Sequence, residues 1–515
     1  MYNIPEHSQS EDNVSANKPK KINNNQSWIT NVTKKQHVVP SLDKRKTRSA
    51  LSSRRSSVDS TLTTASQFEH ITLEDRVRIT FEIANILQKQ TFLRKLADGL
   101  MLYGCPAHRL EYIMDTVSKT IAIQADYVTL PNCMLMSFID PSMHTTETHF
   151  LRQPQGFDMD RLGEVYRLEK LVSHGEVTVD EAVEFLDNVS SAPVTYSVWL
   201  NPFIYALASF CACVMFYGGN FKEGGISACL AIFFSIYEIF SSRLVSFQPI
   251  YEITCCIIIG FIAVGIGNFG YCFTPVAFAS FVIILPGYSM TVGLVEIVSR
   301  QLVSGVVRMV YAILYAFLLG YGITFGASIY NAIDPTILEG QKDTCQRAFT
   351  SGTCVTTESS WYYFLTVPLF AISYCGYLKA SPSRWPFMIV ISAIGFVVNW
   401  ALSCQVAYPG APNQVIQVVP AFAVGLVGNL YTKTTGKMSF DGVLLAVFYL
   451  VPGGLGLKAA LGLFGGTDDI NQYSSQGSAF ALSMIETAIG ISVGLFIATL
   501  IVYPKGSQHT PLMNF

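Results

Sequence analysis

From residue 199 onward the chain alternates ten apolar segments with short polar connections and one long one. The segments lie near 199–219, 224–241, 251–269, 273–295, 304–330, 361–378, 385–404, 414–431, 440–463 and 478–503. Each is about long enough to cross the ~30 Å hydrocarbon core of a bilayer as a helix. In that core every backbone N–H and C=O needs a partner inside the protein, so the spanning structures open to a chain are few. This pattern predicts a polytopic α-helical membrane protein with ten transmembrane helices.

Charge is distributed accordingly. Residues 1–198 hold 46 of the 70 charged side chains and residues 199–515 hold 24. The formal net charge is −2, so bulk charge favours no nucleic-acid partner. Residues 1–70 are rich in Ser, Thr, Asn and Lys, and read as a disordered basic tail. Within it, KRKTRSALSSRRSSVDS marks Ser57 as a phosphorylation candidate, where added charge would loosen contact with anionic lipid. Mass spectrometry showing Ser56 and Ser57 always unmodified would remove that reading. The opening MYNIPEHSQSEDN lacks an apolar core, so no cleavable signal peptide is expected.

Residues 71–190 read as a small cytosolic α/β domain. RVRITFEIANILQKQTFLRKLADGLMLYG predicts a helix ending near Gly104, and PAHRLEYIMDTVSKTIAI a second with Pro106 near its start. ADYVTLPNCMLMSFID and THFLRQP read as strands. FDMDRLGEVYRLEKLVSHG and TVDEAVEFLDNV read as helices, with Thr178 and Glu181 forming a capping box. The region holds His108, His144, His149 and His174 but no GxSxG, HExxH or phosphate loop. No catalytic residue, metal or cofactor is expected. His144 and His149 stand five apart on a presumed strand and so point to opposite faces.

The long connection, 331–360, divides the ten segments into 199–330 and 361–505, five in each. Five is odd, so the second set enters the membrane from the opposite side, and two sets of one fold make a 5+5 inverted repeat. Lys and Arg in the short loops orient it. With both termini cytoplasmic, inside loops and tail hold Arg243, Arg300, Lys379, Arg384, Lys433, Lys437 and Lys505; outside loops hold Lys222, Lys342 and Arg347. Residues 331–360 then form a non-cytosolic loop, and Cys345 and Cys354 are expected to form a disulfide there. Thiol labelling of both in the native membrane would refute that. The cysteines of the apolar runs, Cys272 and Cys404 among them, read as small hydrophobes.

Two segments break their own helices. FVIILPGYSM places Pro286 and Gly287 in an apolar run, and FYLVPGGLG does the same with Pro452, Gly453 and Gly454. Proline removes a backbone donor and glycine permits irregular dihedrals. Freed backbone groups are costly against lipid, so a matched pair of breaks points to a shared polar cavity. New half-helix N-termini would attract a carboxylate, and freed carbonyls an ammonium. Ordinary packing kinks are the alternative. The substrate-binding candidates are Pro286, Gly287, Ser289, Arg308, Pro452, Gly453 and Gly454. Glu238 and Glu486 are the proton-coupling candidates, since a charge inside a span costs a few kcal/mol facing lipid. Glu296 and Arg300 stand four apart and are expected to pair. Glycines in GFIAVGIGNFG and AVGLVG suit close helix contact.

FLRKLADGLMLYGCPAHRLEYIM, HFLRQP, LEKLVSHGEVTVDEAVEFL, LPGYSMTVGLVEIVSRQLVSGVVRMV and YLVPGGLG, in this order, resemble the threonine/serine exporter family in its fungal branch of pheromone-regulated membrane proteins. The resemblance covers roughly residues 85–505. It implies ten spans and proton-driven export of threonine, serine or similar small amino acids. The expected partners are therefore a small amino acid, a coupling proton and the lipid bilayer, with self-association, plasma membrane and vacuolar or other endomembrane left open. Two alternatives stand beside it: a membrane-anchored hydrolase with its site in residues 71–190, and a non-transporting scaffold in mating or signalling.

Overall fold

The computed structural model describes residues 73–140, 145–244, 246–248, 250–334, 358–406, 413–450 and 470–504. Two compact units divide at Leu87 and Gln88. The first contributes, among the described residues, only the opening of helix α1, Leu73–Leu102. Ser57, Cys345, Cys354, His144, Pro452, Gly453 and Gly454 lie outside the described residues.

In the second unit, α1 is followed by α2 (Ala107–Thr120), strands β1 (Ala125–Leu130), β2 (Cys133–Asp140) and β3 (Thr145–Arg152), then α3 (Met159–Ser173) and α4 (Val179–Ser191). The strands form one antiparallel sheet in the order β1-β2-β3. Local chemistry sets the ends. Gly104 takes φ +96° just beyond α1. Pro106 caps α2, and Asp158 caps α3 by accepting from the Arg161 amide at 3.2 Å. The capping box between Thr178 and Glu181 opens α4 as its sequence predicts. Phe92, Leu96 and Leu100 of α1, Leu110 and Met114 of α2, Met134 and Met136 of β2 and Val165 of α3 are fully or almost fully buried together. Each such side chain contributes about 1.5–3 kcal/mol on leaving water.

The membrane part runs α5 (Asn201–Phe216), α6 (Phe221–Ser241), α7 (Tyr251–Ile266), α8 (Phe273–Ser280), α9 (Gly287–Val298) and α10 (Leu302–Ile333). After the long connection come α11 (Tyr363–Tyr377), α12 (Trp385–Trp400), α13 (Asn413–Thr435), α14 (Phe440–Leu450) and α15 (Ile470–Val502). Among the described residues seven helical stretches are long and apolar enough to cross a membrane, and eight if the pair around Pro286 counts as one bent span. The expected segment 361–378 holds the 15-residue α11, and the expected segment 440–463 is helical over Phe440–Leu450 in its described part. The chain is an integral multi-pass membrane protein.

The two sets of helices pack by one pattern. In the first, α5 packs on α6, α6 on α8, α7 on α10, and α5 on α8. In the second, α11 packs on α12, α12 on α14, α13 on α15, and α11 on α14. Glycine makes the α7–α10 and α13–α15 crossings close. A Cβ added at Gly326 would lie 2.0 Å from the Ile257 carbonyl oxygen, and one at Gly494 would lie 2.4 Å from that of Val418. The sets meet where α5 packs on α11 and where α9 packs on α14 and α15.

Two cysteine expectations change. Cys211, Cys213, Cys229, Cys255, Cys256 and Cys375 are free, but Cys272 and Cys404 are disulfide-bonded. Both stand at helix ends, Cys272 capping α8 and Cys404 beyond α12. An apolar setting alone therefore does not make them inert.

Candidate functional site

The first break is geometric as well as compositional. Helix α8 stops at Ser280, a short 3-10 turn covers Val282–Ile284, and α9 starts at Gly287. The two arms are bent by 61°. Leu285 is extended at ψ 129°, as a residue before proline prefers, and Pro286 caps the new helix. The Pro286 carbonyl accepts from the Met290 amide at 3.1 Å, and the Gly287 carbonyl from Thr291 Oγ1 at 3.2 Å. The amides of Gly287, Tyr288 and Ser289 open the helix, where α-helical geometry supplies no acceptor. Gly287 is buried and Ser289 half-buried.

Tyr288 projects from this break toward the second half. Its ring stacks on Phe448 at 5.5 Å between centroids. Phe448 belongs to the end of α14 and stands four residues before Pro452 in the sequence. Phe448 also packs on Tyr374 at 4.7 Å, and Tyr374 on Tyr377 at 5.9 Å. Phe157, from the loop before α3, closes the circuit against Tyr377 at 6.0 Å and Tyr288 at 5.4 Å. Five aromatic rings from three parts of the chain thus form one closed ring. Such pairs add about 0.5–1.5 kcal/mol each beyond their buried area.

Carboxylates stand next to it. Tyr377 packs on Tyr205 at 6.3 Å, and Glu238 lies beside Tyr205. Glu238 Oε2 is buried and has no hydrogen-bond partner among the described residues. Glu252 lies near Tyr251 and Tyr315. Glu486 lies apart from this cluster, accepting from Gln414 Nε2 at 3.0 Å between α15 and α13.

Glu296, fully buried near the end of α9, binds differently from the expected i,i+4 pair. Its Oε2 accepts from Ser304 Oγ at 2.9 Å and from Arg308 Nε at 3.3 Å, and its Oε1 from the Ala107 amide at 3.2 Å. Helix α9 ends at Val298 and Arg300 sits at φ +72°, so helical spacing no longer relates Glu296 to Arg300. The Arg308 charge is thus met by a carboxylate of the protein. The Ala107 amide belongs to the first turn of α2, whose positive end suits an anion.

Further contacts fasten the α/β region to the same side of the membrane part. The Met159 and Asp160 amides donate to the carbonyls of Leu378 and Lys379, and Tyr196 Oη to that of Ala380. Lys170 Nζ donates to the Gly436 carbonyl at 2.7 Å, and Gln301 Nε2 to Glu111. Burial raises the Asp158 carboxyl above the usual carboxylate range, against the pull of the Arg161 amide and of Lys379. Glu169 is raised by burial too, and the Cys105 thiol is pushed up to about 12 for the same reason.

Sequence reasoning picked out Pro286, Gly287, Arg308 and Glu238. The structure places the first two at the bend, Arg308 on Glu296, and Glu238 behind Tyr205. It missed Phe157, Tyr374, Tyr377 and Tyr205 altogether. Two described histidines of the α/β region make separate local contacts: His149 pairs with Glu147 at 3.1 Å, and His174 Nδ1 contacts the Lys170 carbonyl. Among the described residues no group of three His, Cys, Asp or Glu side chains is arranged to hold a metal.

A family model described as "Putative threonine/serine exporter" matches residues 91–330. An uncharacterized protein of Schizosaccharomyces pombe is 33% identical over 461 residues, which is 86% of this chain and 59% of that protein. Pheromone-regulated membrane protein 10 of Candida albicans is 33% identical over 465 residues, 87% of this chain and 41% of that protein. Its namesake in Saccharomyces cerevisiae is 32% identical over 457 residues, 86% of this chain and 58% of that protein. The chain spans about half the length of the curated relatives it matches. No solved structure matches it.

Proposed function

Because the chain belongs to the threonine/serine exporter family, we propose that it is a proton-coupled secondary transporter exporting small amino acids such as threonine or serine. Its ten spans form a 5+5 inverted repeat, both termini are cytoplasmic, and residues 71–190 make a regulatory cytosolic region. The observation that carries the reading is the stack of Tyr288 on Phe448, which joins the neighbourhoods of the two breaks across the two halves. The matched helix pairings of the halves support the repeat. Disulfide-bonded Cys272 and Cys404 support the orientation, since the loop-charge count puts both outside the cytosol.

In this reading the substrate lies at the breaks. The amides opening α9 at Gly287, Tyr288 and Ser289 meet its carboxylate, and Pro452, Gly453 and Gly454 supply the second half of the site. Glu238 carries the coupling proton beside the aromatic ring, with Glu486 as the second candidate. Arg308 reaches a carboxylate only by exchanging it for Glu296.

The test is reconstitution of the purified protein in liposomes with labelled amino acids. Threonine or serine flux should rise when a pH gradient is imposed, and Glu238→Gln should remove the gradient dependence. A folded, correctly inserted protein that moves no small amino acid under any gradient refutes the reading.

A further inference from the structure

Phe157 is held in place by backbone on both sides. The Gly156 amide donates to the Leu102 carbonyl at 3.2 Å, the Asp158 amide to that of Tyr103 at 3.3 Å, and the Met159 amide to that of Leu378 at 3.0 Å. Gly104, at φ +96°, lets the two loops touch: an added Cβ there would lie 2.3 Å from the Gly156 carbonyl oxygen. A side chain fixed this firmly, half-buried, has one evident task. It fills the gap between Tyr288 on the first half and Tyr377 on the second.

Without Phe157 the remaining four rings, Tyr288, Phe448, Tyr374 and Tyr377, bound a space beside the α9 N-terminus. Aromatic faces attract a cation, more strongly when it is desolvated. Glu238, one tyrosine behind, presents a buried oxygen that has no hydrogen-bond partner among the described residues and can accept from an ammonium. No basic side chain belongs to the ring; Arg308, the cation near Tyr288, is engaged by Glu296, and the amides at the start of α9 lie on the Tyr288 side.

Resting on the transporter reading above, we propose that Phe157 is a plug: it occupies the seat that the ammonium group of the substrate takes, and so closes the path on the side of the α/β region. The docking contacts of that region reach 296–301, 378–380 and 436, which belong to both halves. A rocking motion that parts Tyr288 from Phe448 and Tyr377 therefore withdraws Phe157 from between them. The α/β region and the cavity open together.

A reporter cysteine at Ser289, mapped by mass spectrometry after reaction with a membrane-impermeant thiol reagent, reads the plug without any transport assay. Phe157→Ala should speed its labelling about tenfold, the size expected from losing two aromatic contacts. Phe157→Trp should leave it slow. Equal rates in all three chains overturn the plug. If Phe157→Ala elutes as an aggregate, Phe157→Leu takes its place, with the same acceleration required. In the unplugged chain, threonine should protect the reporter and N-acetylthreonine, which lacks the ammonium, should not. Equal protection by both, or by neither, overturns the ammonium seat. A plug that passes the labelling test in a chain moving no amino acid separates this inference from the failure of the transport reading.

Discussion

Each half of the membrane part carries an arginine paired with a buried carboxylate near the end that meets the α/β region, and the two pairs are built differently. Arg384 grips Asp441 with two bonds, Nε to Oδ2 at 2.8 Å and Nη2 to Oδ1 at 2.7 Å. Its Nη1 donates to Tyr431 Oη, and its guanidinium lies over Phe387 and Tyr431. Arg308 makes one 3.3 Å bond to Glu296, which also serves Ser304 and the Ala107 amide of the α/β region. The first arrangement saturates its carboxylate within its own half. The second shares a carboxylate between three partners, one of which belongs to the α/β region. Closed geometry suits a staple, and shared geometry suits a joint.

If the staple reading is right, the largest effect comes from Asp441. Asp441→Ala should destabilise the protein by about 3–5 kcal/mol, because a guanidinium is left buried without its anion. Thermal unfolding in detergent measures it. Replacing both partners by apolar residues, Arg384→Met with Asp441→Leu, should recover most of the loss. A double variant as unstable as the single one would mean the site matters for shape rather than charge.

Next come the glycine crossings, which sharpen the comparison because there the halves are alike. Gly326→Ala on α10 and Gly494→Ala on α15 each drive a methyl group into a carbonyl oxygen of the facing helix. Both should cost about 1–3 kcal/mol, as overpacking does. A large cost in one half and none in the other would break the parallel between them.

The shared scaffold was legible from sequence for a physical reason. A lipid-spanning helix must be apolar along its length, a close crossing must be small, and a break needs Pro or Gly. Each of these is a property of one residue or one short run. The bend at Pro286, the close crossings through Gly260 and Gly425, and the Thr178 cap all follow. The joint was not legible, because its parts are far apart in the chain. Phe157 and Tyr288 are joined only by the fold, and with 34 Phe and 25 Tyr in the chain an aromatic residue carries no address. Glu296 was misassigned to Arg300 because the four-residue rule holds only inside a helix, and α9 ends between them. The second break could be named but not followed, since Pro452 and its glycines lie outside the described residues.

Glu296→Gln tests the joint directly and should act more weakly on global stability, by about 1–2 kcal/mol: the one amide oxygen can keep accepting from Ala107, while the NH2 that replaces the other oxygen can only donate to Ser304 Oγ and no longer meets Arg308. Arg308 is partly exposed, so water takes over some of its charge. The larger consequence is local: the loop at 153–158 should become more sensitive to protease while the melting temperature hardly moves. Protease resistance equal to that of the parent would show that Glu296 does not hold the α/β region.

Acidity reaches the same joint from its other side through Asp158. Burial beside the Leu378–Lys379 turn raises this carboxyl, with the Arg161 amide, Lys379 and Arg161 pulling it back only in part. An undocked Asp158 returns toward its ordinary value. Between that value and the raised one, the docked form holds a proton that the undocked form has lost. Docking therefore tightens as pH falls through this window and loosens as pH rises through it, by less than about tenfold per pH unit, the limit for one proton. Asp158→Asn keeps the cap on α3 but carries no titrating group, so its protease resistance should vary less with pH than that of the parent over the same window. An unchanged pH slope in Asp158→Asn would move the acid sensitivity to another group, Glu169 first, since burial raises it as well.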